Sequence, residues 1–325
     1  MDTICLAVDV DSGDFGASVT VRGVLDALQG SPDRFRVMLC GDGEGIERIL
    51  RSQGFSTGRY DGQIEVVHCP GRVPAHGGKR ISIWKEAQNA SIIRCIALQK
   101  EGRADASISA GDTAILLGGA LFILGRRKNA LRPALAAFLP TTGKRPVLLL
   151  DVGANLKCRQ EHLVSFAAMG REFVIAMSDK KKTPSLALLN VGIERIKGTT
   201  VIGEADRILR RKYAGYAGFI EANQVFFGAV DVVVCDGFAG NVLLKTGEGF
   251  HALVTSVLKT GALRSERCAK EMAHLDPEHY GAVPFLGIRG IVLKAHGRSS
   301  RRAIASALLA ADTVVRRNRS HRIFA

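Results

Sequence analysis

The chain has 325 residues, 46% hydrophobic and 23% charged, which excludes a disordered polymer and leaves room for one large domain or two lobes. Lys and Arg (45) exceed Asp and Glu (31), giving a formal charge of +14 that admits nucleic acid, an anionic membrane surface, an acidic carrier protein or phosphate as partner. No apolar run reaches the roughly 18 residues of a membrane span, and Asp2 stands where a signal peptide needs positive charge, so a cytoplasmic protein is expected.

In chain order, strands are predicted over residues 3–9, 36–40, 64–68, 106–109, 147–151, 173–177, 186–191, 232–235 and 290–293. Helices are predicted over 19–28, 91–101, 113–124, 161–169, 203–211, 242–258 and 302–315. Several strands are apolar on both faces, as strands between two helix layers should be. The alternation implies an α/β fold with a largely parallel, doubly wound sheet. Residues 261–284 are the least periodic, so the expectation is one catalytic domain over residues 1–325 with a helical excursion at about 242–284. The seven cysteines (Cys5, Cys40, Cys69, Cys95, Cys158, Cys235 and Cys268) form no CxxC pair, so reduced buried thiols are expected and neither a zinc site nor a disulfide framework is signalled.

In an open parallel sheet, ligands bind beyond the carboxyl ends of the strands. Gly, Asp, Asn, Ser or Thr stand at those ends repeatedly. The candidate substrate- and phosphate-binding residues are Asp9, Gly13 and Asp14 after the first strand, and Gly111 and Thr113 after the fourth. Asp151, Gly153 and Asn155 follow the fifth, and Gly192 and Lys197 lie past residues 186–191. Asp236, Gly237, Gly240, Ser299 and Ser300 complete the set. Glycine lets a backbone approach an anion, and helices opening just afterwards direct free amides at it. The segment Cys40-Gly41-Asp42-Gly43-Glu44-Gly45 imitates a dinucleotide fingerprint but spaces its third glycine wrongly, so it reads as a βα turn. Walker A, HExxH and GxSxG motifs do not occur.

These residues suit a reaction between two oxygen-rich or carbonyl partners without a metal, and no cofactor is expected. Lys197, Lys245 and Lys294 can hold phosphate; Asn155 and Asn241 can stabilise an oxyanion; His296 can transfer a proton near neutral pH. A thioester attacked by inorganic phosphate would need this equipment. His296 equally fits a capping or core histidine, and Lys245 a solvated lysine on a helix.

The segments ADASISAGDTAILLGGALFILGR, RPALAAFLPT, VLLLDVGAN, LALLNVGIERIKG, VDVVVCDGFAGNVLLKTGEG and YGAVPFLGIRGIVLKAHGRSS, in this order, resemble the bacterial phosphate acyltransferase (PlsX) family over about residues 5–315. The resemblance implies a Rossmann-like three-layer α/β/α fold, similar to isopropylmalate dehydrogenases and phosphotransacetylases. It implies transfer of a fatty acyl group from acyl carrier protein to inorganic phosphate for phospholipid synthesis. It also implies a homodimer, peripheral contact with an anionic membrane, and no metal or nicotinamide; nucleic-acid binding, which rests on charge alone, is not expected. Asn241 as oxyanion donor, Lys245 as phosphate or thioester contact and His296 as proton donor are the catalytic expectations. The basic clusters 126–128, 180–182, 210–212 and 316–319 would steer an acidic carrier. The alternatives are a phosphotransacetylase-like enzyme using acyl-CoA, or a weakly active membrane-associated binding protein. The chain departs from the family's DAMGGD and SAGNTG wording at Asp11, Ser12, Asp112 and Ala114, and from YGGAP at Ala282-Val283. An acid at 112 would repel phosphate unless paired or protonated.

Overall fold

The structure is a computed structural model that describes residues 3–54, 62–71, 73, 88–143, 145–178, 183–260 and 275–325. They group into two compact units, one of residues 1–127 with 280–325, the other of residues 128–279.

The first unit contains β1 (Ile4–Asp9), α1 (Gly16–Gly30), β2 (Phe35–Gly41), α2 (Gly43–Ser52), β3 (Ile64–His68), α3 (Ser91–Lys100), β4 (Ala106–Ser109) and α4 (Thr113–Ile123). After the second unit the chain returns as β10 (Ala282–Leu286), β11 (Ile291–Ala295) and α9 (Arg301–His321). Its sheet runs β3-β2-β1-β4-β11-β10, with every neighbouring pair parallel except β10–β11. β1, β2, β4 and β11 are mostly buried along their length, which is why they read as continuous apolar runs instead of alternating ones. Helix α9 crosses α1 closely at Gly23, where a Cβ would lie 2.6 Å from the Arg301 carbonyl oxygen and 2.7 Å from Ile304 Cβ. Beside this crossing, fully buried Asp312 takes Arg34 at 2.5 Å and Arg316 at 3.0 Å.

The second unit contains β5 (Ala134–Leu139), β6 (Val147–Leu150), α5 (Gln160–Met177), β7 (Leu186–Leu189), α6 (Thr200–Lys212), β8 (Tyr216–Ile220), α7 (Ala222–Val225), β9 (Val232–Val234) and α8 (Gly237–Thr260). Its strands run β5-β6-β9-β7-β8, with β5 antiparallel and the others parallel. Helix α5 lies on this sheet through Gly170, where a Cβ would come within 2.9 Å of Val232 on β9.

The parallel α/β class is as expected, with differences in the elements, among them the additional helices α2 and α7. Residues 173–177 continue α5 instead of forming a strand: Phe173 and Ala176 are buried while Val174 and Ile175 are half-buried, a helical spacing that local β-branched content had masked. Strands β5, β8 and β10 are additional. The excursion expected at 242–284 begins inside α8, which starts at Gly237, and its end is a short 3₁₀ turn followed by β10; residues 261–274 lie outside the described residues. Cys40, Cys69, Cys95 and Cys235 are buried free thiols, Cys5 and Cys158 are half-buried free thiols, and Cys268 lies outside the described residues.

Candidate active site

Each unit gathers its share of the candidate residues at the carboxyl ends of its strands. In the first unit the register places Val8 beside Ile108 and Lys294 beside Ser109, so the ends of β1, β4 and β11 stand level. Asp9, 1% exposed, accepts hydrogen bonds from Ser91 Oγ at 2.6 Å and Ser109 Oγ at 2.5 Å. Ser109 Oγ in turn accepts from the Gly111 amide at 2.9 Å. Burial pushes the Asp9 carboxyl up, against the pull of Ser109, Ser12 and Ser91. Asp9 therefore braces the turns after β1 and β4 from below.

Above this brace lies an open cavity of about 360 Å³ lined by Gly13, Asp14, Ala110, Gly111, Asp112, Thr113, Lys294 and Gly297. Gly13 has φ +102, a left-handed conformation that glycine adopts without strain, and the Asp14 amide donates to the Gly297 carbonyl at 2.7 Å, joining the turns after β1 and β11. Gly111 has no room for a side chain: a Cβ would meet Ile92 Cδ1 at 2.8 Å and Ser12 Oγ at 2.9 Å. Lys294 Nζ bonds the Ala295 carbonyl and approaches that of Ala110 at 3.4 Å.

Asp112 is the N-cap of α4. Its Oδ1 accepts from the Ala114 amide at 2.8 Å and the Ile115 amide at 3.0 Å. The departure from the family wording thus keeps a side-chain cap on the helix but makes it a carboxylate, favourable to the helix dipole. His296 is exposed, with Nδ1 accepting from the Arg298 amide at 3.1 Å. Ser300 Oγ caps α9 by accepting from the Ala303 amide at 3.2 Å. Ser299 is buried next to it.

In the second unit the organising group is Asp151, fully buried just past β6. Oδ1 accepts from the amides of Leu135 (2.9 Å), Gly153 (3.2 Å) and Ala154 (3.0 Å); Oδ2 accepts from the Asn155 amide (2.7 Å) and Asn155 Nδ2 (2.9 Å). Burial raises the Asp151 pKa, and the five donors act in the opposite direction by favouring the ionised form. Asn155 spends its other amide hydrogen on the Pro133 carbonyl at 2.7 Å, so its side chain braces the turn and holds no outward donor.

Helix α8 starts against this turn. The Gly237 amide donates to the Asn155 carbonyl at 2.8 Å, and Asp236 Oδ1 accepts from the Ala239 amide at 2.8 Å. Gly240 is the tightest point: a Cβ there would lie 1.9 Å from the Asp151 carbonyl oxygen. This approach sets exposed Asn241 next to Gly153, whose own Cβ would be 3.8 Å from the Asn241 side chain. Lys245 follows four residues on, on the same side of the helix, exposed and paired with Glu248 at 2.7 Å.

Gly192 and Lys197 belong to the turn after β7. Asn190 Nδ2 folds that turn on itself by donating to the carbonyls of Gly192 (2.9 Å) and Lys197 (3.1 Å). Lys197 Nζ is 2.9 Å from Glu194 at the surface, and this partner raises the lysine's pKa. Among the basic clusters, Arg210 pairs with Asp206, Arg316 with Asp312 and Arg319 with Asp105, so part of the positive charge is structural; residues 180–182 lie outside the described residues.

Sequence reasoning missed Ser91 and Ser109 as partners of Asp9. The inward serines of the strand Ala-Ser-Ile-Ser were the available signal. Among the described residues no His, Cys, Asp or Glu cluster is arranged to hold a metal, and no helix is long and apolar enough to cross a membrane.

Parallel α/β units with aspartate- and glycine-built turns at their strand ends define the class of phosphotransacetylase-like folds. A phosphotransacetylase from Streptococcus pyogenes superposes with a TM-score of 0.66 at 14% identity, covering 98% of this chain and 94% of that one. A 4-hydroxythreonine-4-phosphate dehydrogenase from Klebsiella pneumoniae follows at 0.60 and 15% identity, covering 97% and 100%. These likenesses speak for the fold. At the sequence level, residues 4–322 match the model of the fatty acid synthesis protein family, and the chain belongs to that family. Relatives named phosphate acyltransferase from Shewanella sp. (strain ANA-3) and Shewanella baltica (strain OS155) are 37% and 36% identical, each match covering 98% of this chain and 94% of the relative.

Proposed function

We propose that the protein transfers a fatty acyl group from the thioester of acyl carrier protein to inorganic phosphate, giving acyl phosphate and the free carrier thiol. A phosphate oxygen attacks the thioester carbonyl carbon, the C–S bond breaks, and the departing thiolate takes up a proton. Full-length likeness to the Shewanella phosphate acyltransferases carries this reading. The site chemistry agrees with it. Phosphate is already an anion at neutral pH, so catalysis needs binding, orientation and oxyanion stabilisation more than a strong base. The reading assigns the amide of Asn241 to the oxyanion and His296 Nε2 to protonation of the thiolate. Lys245, released from Glu248, contributes positive charge on the side of α8 that carries Asn241. A homodimer and reversible contact with an anionic membrane belong to the same reading, for which the +14 charge and the exposed apolar residues Phe250, Leu253 and Val257 of α8 are the physical support.

The test is incubation with acyl-loaded carrier protein and labelled phosphate. Labelled acyl phosphate is expected. Product formed from acyl-CoA but not from acyl carrier protein would replace the donor, and no product from either would leave a binding protein in place of an enzyme.

A further inference from the structure

Ser299 is 7% exposed, and its hydroxyl has no hydrogen-bond partner in the protein. Buried polar atoms are almost always paired, so an orphan needs a physical reason. Ser299 lines a small pocket of about 10 Å³, room for a single oxygen atom or water, together with Ser12, Gly13 and the first turn of α1 at Phe15, Gly16 and Val19. No side chain caps α1: Phe15 occupies the cap position and offers no acceptor. The amides of a helix's first turn have no partner within the helix and carry the positive end of its dipole. The Gly16 amide makes only a long bond of 3.4 Å to the Gly13 carbonyl, so an unpaired hydroxyl and a helix terminus without a side-chain cap border one oxygen-sized space. Gly13, Ala110 and Gly297 border both this pocket and the 360 Å³ cavity that reaches Lys294.

We propose that this pocket is an oxyanion subsite for inorganic phosphate: one phosphate oxygen accepts from Ser299 Oγ and the Gly16 amide at the start of α1, while the remaining oxygens lie in the larger cavity toward Lys294. The contrast with α4 supports the assignment. There Asp112 fills the helix terminus with its own carboxylate, whereas α1, which also borders this region, has no side-chain cap. Asp112 and Asp14 also border the larger cavity; the small pocket is lined by neither, although Asp14 stands just before the α1 cap and its carboxylate opposes the anion from that side. The subsite deepens the phosphate-acyltransferase reading by stating where the phosphate sits. It also stands by itself as an anion pocket.

The experiment compares the full-length wild type with Ser299→Ala. Calorimetric titration with inorganic phosphate, with no acyl donor present, reads the subsite directly; titration with 4′-phosphopantetheine reads the other phosphate source, the carrier's arm. A hydrogen bond to a charged acceptor predicts roughly tenfold weaker phosphate binding in the variant, and a matching rise in KM for phosphate with KM for the acyl donor unchanged. In phosphate-free buffer the variant should melt at the wild-type temperature or above, because an unsatisfied hydroxyl has been removed. Unchanged phosphate affinity overturns the proposal, as does a loss confined to 4′-phosphopantetheine. A lower melting temperature without phosphate also overturns it, since the hydroxyl would then be holding the fold. Ser299-dependent phosphate binding in a protein that forms no acyl phosphate would count against the enzyme reading alone.

Discussion

Replacing Gly240 with alanine tests how the second unit's site is held together. The new Cβ would stand 1.9 Å from the Asp151 carbonyl oxygen and 2.8 Å from Cys235 Sγ, where ordinary contact begins near 3.4 Å. The obstructing atom is backbone, in a turn pinned by the five hydrogen bonds of the Asp151 carboxylate, so α8 must give way by about 1 Å or more. Overpacking of this kind costs about 3 kcal/mol, which for a unit of this size lowers the melting temperature by roughly 6–12 °C. Asn241 is the next residue, and a displacement of about 1 Å at a positioned donor costs on the order of 100-fold in kcat/KM. Gly249 in the same helix supplies the matched control: a Cβ there meets nothing within 4 Å, so Gly249→Ala should be neutral or stabilise the helix by about 0.4–1 kcal/mol. Urea denaturation followed by circular dichroism measures the first effect and labelled acyl phosphate formation the second. If Gly240→Ala melts and turns over like the wild type, the packing of α8 on the Asp151 turn does not set the position of Asn241.

Asp112→Asn keeps a good capping residue on α4 while removing a negative charge from the cavity, so stability should stay within about 1 kcal/mol and KM for phosphate should fall severalfold; a rise in KM would show that the carboxylate assists the substrate. Asp9 has its pKa raised by burial, so the folded state binds more protons than the unfolded state above the ordinary carboxylate range. Wild-type stability should therefore decline relative to Asp9→Asn as pH rises from about 4, which urea midpoints at several pH values would show, and parallel pH profiles would contradict it. Asn241→Ala and His296→Ala should each slow acyl phosphate formation by roughly 100-fold or more with unchanged melting temperature, both side chains being exposed; turnover at the wild-type rate would remove the residue from the site.

The positions of the turns were legible because glycine, aspartate and asparagine cluster where parallel strands end, and the register then brings those ends level. What decided the rest was long-range. Strand β5 is rich in alanine, a weak strand former, and draws its place from antiparallel pairing with β6. Strand β8 carries Gly218 at φ +94, and β10 carries Pro284, both of which argue locally against a strand. The helix expected to end at residue 169 continues through Gly170, and nothing local reveals that this glycine lets α5 touch Val232. Within the site, Asn155 read as a free donor, yet its side chain is consumed by Asp151 and Pro133. Asp112 read as a repulsive charge, yet it is a helix cap. In each case the partner that fixes the role lies elsewhere in the chain or in the hydrogen-bond geometry of the turn.

The chain order of the first unit has a consequence for its biogenesis. Strand β4 finds one neighbour in β1 but the other in β11, and α1 is covered by α9, so this unit closes only when residues 282–321 have emerged. The second unit is an uninterrupted segment and can condense first, while β4 waits with an unpaired edge. A ribosome stalled within the last forty or so positions would release a polypeptide with one finished half and one sticky half. Damage near the C-terminus should consequently register as aggregation of the N-terminal segment.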